Sequence, residues 1–256
     1  MEKSIFQNNL LSGKKILVTG SNSGIGKITS DMLLEHGAKV IKTSRNFEIN
    51  PPKKNLNNPE FICIEKDLSD ENAAYDIFKD IPSEWLPLDG IFHCAGKESL
   101  SSLALLNDQT INSSIQTSLN NALLFGKAAT KKKYVNDCAS IVFLSSVASK
   151  FATPGMSLYG SLKSALNTST KYLASELYKR KIRVNCIISG AVKTSMHKRI
   201  ISKLSQSARL EYENKHLFGF GDPIEIANMV LFLMSKGSNW ITGSEIYVDG
   251  GYSCTK

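Results

Sequence analysis

Tyr159 and Lys163 lie one helical turn apart in Tyr159-Gly160-Ser161-Leu162-Lys163, so on a helix both side chains leave the same face. A phenol has a reference pKa near ~10 and is a poor acid or base at neutral pH, but an ammonium held beside it favours the phenolate. Such a pair could give a proton to a carbonyl oxygen or take one from an alcohol. Upstream, Phe143-Leu144-Ser145-Ser146-Val147 closes an apolar run, and the Ser146 hydroxyl could polarise a carbonyl and steady a developing oxyanion. Ser145, its neighbour on a strand, would point to the opposite face. A Tyr-x-x-x-Lys pair alone also occurs on helices that do no chemistry, so its weight depends on what surrounds it.

A second group could bind phosphates. Thr19-Gly20-Ser21-Asn22-Ser23-Gly24-Ile25-Gly26 joins a short apolar run to a segment of helical spacing. Gly20 permits a tight exit, Gly24 lets backbone approach a pyrophosphate, and Gly26 lets helix and strand pack closely; the helix N-terminus offers unpaired N–H groups. Ser21, Asn22, Ser23 and Ile25 complete the candidate cradle. The next apolar run ends at Thr43-Ser44-Arg45-Asn46. An acid there would suit the ribose 2′-hydroxyl of NAD, whereas Arg45 beside Ser44 suits the extra phosphate of NADP. This favours NADP(H) and leaves NAD(H) as the alternative; Arg45 as a plain solvated loop residue stays open.

The elements that must position these groups are legible from periodicity. Strands are predicted at Lys14 to Thr19, Val40 to Ile41, Phe61 to Ile64, Gly90 to Cys94, Ser140 to Ser145, Ile182 to Ile188 and Glu245 to Val248. Helical stretches centre near residues 75, 120, 168 and 230, the third beginning near Pro154, and Asn50 to Pro59 reads as a loop. Strands alternating with helices imply right-handed crossovers. The expected fold is α/β: a Rossmann-type, doubly wound, parallel seven-stranded sheet with helices on both faces, as one domain over 1–256. Ligands in such sheets sit beyond the carboxyl ends of the strands, where the motifs fall.

The Thr-Gly-x-x-x-Gly-x-Gly turn, with Ser146, Tyr159 and Lys163 at their observed intervals, resembles the short-chain dehydrogenase/reductase family along almost the whole chain, in its 3-oxoacyl-reductase-like branch. The resemblance implies that Ser146, Tyr159 and Lys163 are catalytic and that Lys163 also binds the nicotinamide ribose hydroxyls. It places Asp67-Leu68 at the adenine, although an aspartate before Ser69 also reads as a turn. His93-Cys94-Ala95-Gly96 stands where the family has Asn-Asn-Ala-Gly, so Ala95 and Gly96 carry over to the cofactor ribose while His93 reads as a packed strand residue. Ser118 stands where a catalytic asparagine usually helps a proton relay, with Asn120 and Asn121 facing elsewhere. Gly190, Val192 and Thr194 match the loop that holds the nicotinamide carboxamide, with Ser189 replacing its proline and leaving the loop freer. Ser195 to Gly221 matches the substrate lid. Ile241-Thr242-Gly243 and Val248-Asp249-Gly250-Gly251 match elements that pack between subunits, implying a homotetramer or homodimer. The implied activity is NADP(H)-dependent interconversion of a carbonyl and a secondary alcohol on a small molecule. The substitutions at Ser118, His93, Cys94 and Ser189 motivate an alternative, a cofactor-binding sensor or assembly subunit with little turnover.

Composition bounds the rest. A hydrophobic fraction of 42% and a charged fraction of 21% are those of an ordinary globular protein. Five scattered cysteines show no metal or redox spacing. Met1 to Lys15 lacks a signal-peptide run, and no stretch reaches the ~20 apolar residues of a membrane span, so the expectation is a cytoplasmic protein with no metal and no membrane partner. The net charge of +8 has no groove-reading or aromatic motif beside it, so nucleic acid is not expected. Its densest run, Lys131 to Lys133, reads as a solvated face at a helix end.

Overall fold

Runs rich in valine and isoleucine that are buried on both faces suit a parallel sheet. The computed structural model describes residues 9–47, 60–97 and 100–255. Its strands are β1 (Lys15–Thr19), β2 (Lys39–Ser44), β3 (Phe61–Glu65), β4 (Leu88–His93), β5 (Val135–Ser146), β6 (Arg183–Ser189) and β7 (Glu245–Val248). They form one seven-stranded sheet in the order β3-β2-β1-β4-β5-β6-β7, every pairing parallel. The order reverses between β1 and β4, which opens a crevice at their carboxyl ends.

The helices are α1 (Gly24–Glu35), α2 (Ala73–Asp80), α3 (Asp108–Ile115), α4 (Asn121–Ala129), α5 (Ser157–Leu177), α6 (Ser195–Ile201), α7 (Gln206–Asn214) and α8 (Pro223–Met234). On one face α1 and α8 bury Met32, Leu33, Ile226, Val230 and Leu231 against Ile16, Val18, Phe92 and Val142. On the other α2, α4 and α5 bury Ile77, Phe78, Phe125 and Leu166 against Leu17, Ile91, Ile141 and Phe143. Neighbours such as Leu17 and Val18 serve opposite faces because side chains alternate along a strand. Each such side chain, fully buried, contributes roughly 1.5–3 kcal/mol.

β5 and two of the helices depart from the sequence reading in ways local spacing conceals. β5 starts at Val135 rather than Ser140; its first residues carry an irregularity where the β4 pairing shifts and Cys138 takes a positive φ of 63°, and the polar Asn136-Asp137 conceals the strand. The helix expected near residue 120 is three pieces, α3, a π-turn over Gln116–Asn120, and α4. The helix expected near Pro154 starts at Ser157. The whole of the proposed Asn50 to Pro59 loop falls within 48–59, outside the described residues. The lysine run follows α4, with Lys132 paired to Asp137 at 2.9 Å and Lys133 over the Tyr134 ring. Among the described residues, no helix is long and apolar enough to cross a membrane and no group of three or more His, Cys, Asp or Glu could hold a metal. None of the five cysteines forms a disulfide.

Candidate active site

Register brings the motif residues to one edge: Thr19 lies opposite His93, His93 opposite Phe143, and Ser146 opposite Ser189. Thr19 and His93 lock this edge. The Thr19 hydroxyl accepts the N–H groups of Cys94 and Ala95, both at 3.1 Å, which uses both lone pairs. Its proton therefore goes to His93 Nδ1, 2.9 Å away, so the His93 proton sits on Nε2. That nitrogen has no acceptor in good geometry; the carbonyls of Ser118 and Thr117 on the π-turn are the polar groups facing it. Burial and then the charge of Lys163 push His93 down to about 4, so it is neutral over the working range, as the packed-residue reading expects.

The glycine turn holds the expected geometry. Gly20 has φ 68°, and a Cβ there would sit 3.1 Å from Ala95 Cα; a Cβ on Gly26 would sit 2.2 Å from the Gly20 carbonyl oxygen. Those contacts press β1, α1 and the Ala95-Gly96 segment together. Ser23, the N-cap of α1, makes no side-chain cap bond; the same is true of Asn72 at α2 and Met156 at α5, whereas α3, α6 and α7 are capped by Asn107, Thr194 and Ser205. The α1 amides therefore face outward without a side chain to satisfy them, as a phosphate site requires.

This turn forms one end of a cavity of about 630 Å³. Of the residues singled out from sequence, Gly20, Ser23, Gly24, Ile25, Ser44, Arg45, Asp67, Leu68, Ala95, Gly96, Ser146, Tyr159, Lys163, Gly190, Val192 and Thr194 line it. Ser21, Asn22, Gly26 and Ser118 do not. The Ser21 hydroxyl donates to the Thr43 carbonyl and the Asn22 amide to the Asn46 carbonyl, so both brace the turn, and Gly26 is packed beneath it. Ser118 is 4% exposed inside the π-turn; the turn presents Thr117 to the cavity instead. Asn121 is also turned away, donating to the Leu68 and Gln116 carbonyls at 2.7 Å each.

At the candidate adenine end, burial works against the Asp67 carboxylate, but the Ser69 N–H and hydroxyl, then the charges of Lys97 and Arg45, hold it below the usual carboxylate range. Both Ser69 bonds fall on Oδ1, at 2.9 and 2.8 Å. Asp67 is thus a turn residue and a cavity residue together. Lys97, which the sequence did not single out, lines the same cavity, and its charge acts on Asp67 as that of Arg45 does.

The candidate catalytic groups converge as their spacing requires. Lys163 Nζ lies 5.6 Å from the Tyr159 ring centroid and donates to the Leu144 carbonyl at 2.6 Å, which takes one of its three N–H donors. Burial pushes this ammonium down to about 8. A Cβ on Gly96 would sit 3.7 Å from Nζ, so the Ala95-Gly96 backbone and the lysine meet across the crevice. Ser146 ends β5, and its hydroxyl accepts the Ala148 N–H at 3.2 Å, keeping its proton to donate. Ser145 also borders the cavity, but its hydroxyl donates to the Lys163 carbonyl at 3.3 Å.

What fixes Ser146 relative to Tyr159 is a contact the motifs do not reveal. A Cβ on Gly160 would lie 2.7 Å from the Ala148 carbonyl oxygen, and the Ser149 carbonyl and hydroxyl take bonds from Ser164 and Asn167 at 2.7 and 2.9 Å. Helix α5 is thereby clamped to the turn after Ser146.

The Ser189–Thr194 loop is pinned rather than freed by the lost proline. The Ser189 hydroxyl donates to the Ser145 carbonyl at 3.2 Å, and Gly190 N–H to Val248 at 3.1 Å. Ala191 N–H donates to His216 Nε2 at 3.0 Å. Ala191 O and Lys193 N–H pair with Gly221, leaving the Val192 peptide groups on the opposite edge. The Thr194 hydroxyl accepts the His197 N–H at 3.2 Å and keeps its proton to donate. The expected lid is α6 and α7, whose Met196, His197, Ile200 and Tyr212 join Leu100 and Met156 around the cavity. The Tyr212 phenol is raised by burial, then by the neighbouring Tyr252 and Tyr159, so it stays protonated. Neither Tyr212 nor His216 carried a sequence signal; both depend on long-range packing.

These features match known proteins. Residues 20–253 match the family model described as enoyl-(acyl carrier protein) reductase. The chain is 32% identical over 240 residues to carbonyl reductase family member 4 of Xenopus laevis, covering 93% of this chain and 97% of that protein. It is 28% identical to the 3-oxoacyl-[acyl-carrier-protein] reductase of Thermotoga maritima, covering 94% and 98% of the two chains. A solved 4-hydroxyisoleucine dehydrogenase complexed with NADH superposes with a TM-score of 0.85 at 27% identity, over 95% of this chain and all of that one. The cavity's glycine turn, its Ser-Tyr-Lys constellation and these similarities lead to one assignment: the chain belongs to the short-chain dehydrogenase/reductase family of NAD(P)-dependent oxidoreductases.

Proposed function

We propose that the protein interconverts a carbonyl and a secondary alcohol on a small molecule, with NADP(H) as its cofactor. The nicotinamide, when bound, supplies or accepts the hydride. Gly20, Ser23, Gly24 and Ile25 with the uncapped α1 N-terminus would hold the pyrophosphate; Ser44, Arg45 and Lys97 the 2′-phosphate; Asp67 and Leu68 the adenine. Ala95, Gly96 and Lys163 would hold the nicotinamide ribose, and Gly190, Val192 and Thr194 the carboxamide. Ser146 donates to the substrate oxygen and steadies its developing charge. Tyr159 gives that oxygen a proton in reduction or removes one in oxidation. The observation that carries this reading is the buried Lys163 ammonium 5.6 Å from the Tyr159 ring, in one cavity with Ser146 and the glycine turn. NADPH oxidation against β-ketoacyl thioesters, keto sugars and small diketones tests it. The wild type consumes NADPH with at least one class, and Tyr159→Phe cuts turnover by roughly 10²–10⁴ while still binding NADPH.

The placement of Ser118 off the cavity favours the second reading, a cofactor-binding sensor with little turnover; tight NADPH binding without oxidation on every substrate would select it. We further read residues 1–256 as one cytoplasmic domain with a lid over 195–221, assembled as a homotetramer or homodimer. Support comes from apolar side chains left outside on two faces: Leu123 and Tyr172 on α4 and α5, and Trp240 and Tyr247 near β7.

A further inference from the structure

Ser189 stands where the family's loop carries a proline, yet the loop is held, and one of its bonds comes from a side chain. His216 follows α7, is 3% exposed, and accepts the Ala191 N–H on Nε2 at 3.0 Å. An N–H donor at Nε2 fixes the proton on Nδ1, which donates to the Tyr212 carbonyl at 3.1 Å. The imidazole thus joins the candidate nicotinamide loop on one side to the lid helix carrying Tyr212 on the other. Its ring is held by Tyr252 and Phe220, with centroids at 4.7 and 5.4 Å. The segment around it is anchored in turn, since Phe218 N–H donates to the Gly250 carbonyl and the Thr255 hydroxyl to the Lys215 carbonyl.

We propose that His216 is a positioning residue, holding Ser189–Thr194 in place for the nicotinamide by accepting the Ala191 N–H, and that only its neutral imidazole does so. The proposal rests on the reading of that loop as the carboxamide site. A charged imidazole has N–H groups on both nitrogens, so Nε2 would then point a proton at the Ala191 proton, and the loop and the lid would part. The titratable groups facing His216 are His197 from α6, Tyr212 and Glu213 from α7, and Asp249 and Tyr252 from the segment after β7. Burial holds its pKa below the ordinary histidine value, against the opposing influence of the Tyr212 carbonyl, Asp249 and Glu213. The sign follows: the bond is intact at and above neutral pH and is lost as pH falls through this lowered value.

The test titrates NADP⁺ calorimetrically into the full-length wild type, His216→Gln and His216→Leu between pH 5 and 8. The glutamine oxygen can accept the same N–H but does not titrate. The wild-type dissociation constant, divided by that of His216→Gln, should rise toward tenfold per pH unit below the His216 pKa, and His216→Leu should bind more weakly than wild type at pH 8. A long-range ¹H–¹⁵N spectrum should show the Nδ1–H tautomer at pH 8. A ratio flat with pH, an Nε2–H tautomer, or wild-type affinity in a folded His216→Leu would overturn the proposal. A wild type that binds neither NADP⁺ nor NAD⁺ at pH 8 would instead overturn the reading of the whole cavity and this inference with it.

Discussion

Lys163→Met should make the cofactor-free protein more stable while removing its turnover. Lys163 is 4% exposed, and burial lowers its pKa from 10.5 to about 8. At ~1.36 kcal/mol per pH unit, that difference is roughly 3 kcal/mol against the charged form in the folded state. Methionine fills a similar volume without the charge, but it leaves the Leu144 carbonyl without its donor, at a cost of about 1 kcal/mol, and forfeits the contact with the Tyr159 ring. The net gain is about 1–2 kcal/mol, or roughly 2–8 °C in Tm for a chain of this size. The sign with pH follows from linkage. Between about 8 and 10.5 the unfolded chain holds a proton on Lys163 that the folded chain has released, so wild-type stability rises with pH across that window. The advantage of Lys163→Met is therefore full below pH 8 and gone by about 10.5. Urea unfolding of both cofactor-free proteins at pH 7 and 9.5, beside a turnover assay, reads this directly. A variant less stable than wild type at pH 7, or a stability difference independent of pH, would refute the claim that burial sets the state of this lysine.

Arg45→Asp should turn cofactor preference from NADPH toward NADH, because the guanidinium that would grip the 2′-phosphate becomes a like charge; the ratio of kcat/KM for the two cofactors measures it, and an unchanged ratio would remove Arg45 from that role. Gly26→Ala puts a Cβ 2.2 Å from the Gly20 carbonyl oxygen. Overpacking of roughly 1–3 kcal/mol should outweigh the ~1 kcal/mol gained in helix propensity, seen as a lower urea midpoint and weaker cofactor binding. His93→Phe removes the acceptor of the fully buried Thr19 hydroxyl and should lower stability by about 1–3 kcal/mol, whereas His93→Asn, which offers an oxygen near the place of Nδ1, should recover most of it.

The seven strands, the glycine turn and the Tyr159–Lys163 pair were legible because each is written in local spacing: alternating or continuous apolar runs, small residues at a strand exit, two side chains one turn apart. The turn also shows where local reading stops. Gly20, Gly24 and Gly26 could each be given a role, but Ser21 and Asn22 were placed with the ligand although their side chains brace the turn against the Thr43 and Asn46 carbonyls. Those partners lie more than twenty residues away, and no period announces them. The same holds for Gly160, which needs to be small only because Ala148 passes above it, and for Asn121, which holds the Leu68 carbonyl. A plain helix from periodicity could not foresee the π-turn, and that turn decides whether Ser118 or Thr117 reaches the cavity.

The departures from the family pattern divide once their atoms are followed. His93 accepts from Thr19 with a ring nitrogen that burial keeps unprotonated, so it still joins the ends of β1 and β4. Ser189 gives up a proline's stiffness, and its hydroxyl, Gly190 and Ala191 replace that stiffness with three hydrogen bonds to Ser145, Val248 and His216. Cys94 is pushed up to about 12 by burial, so it adds no charge to the crevice, and its N–H is already committed to Thr19. Three of the four substitutions that motivated a protein without turnover therefore conserve the hydrogen bonding or the charge around the site. Only Ser118 withdraws a polar side chain from the cavity, and Thr117 takes its place on the wall with its hydroxyl donating to the Ser113 carbonyl at 2.7 Å. The balance of the geometry thus lies with a working oxidoreductase.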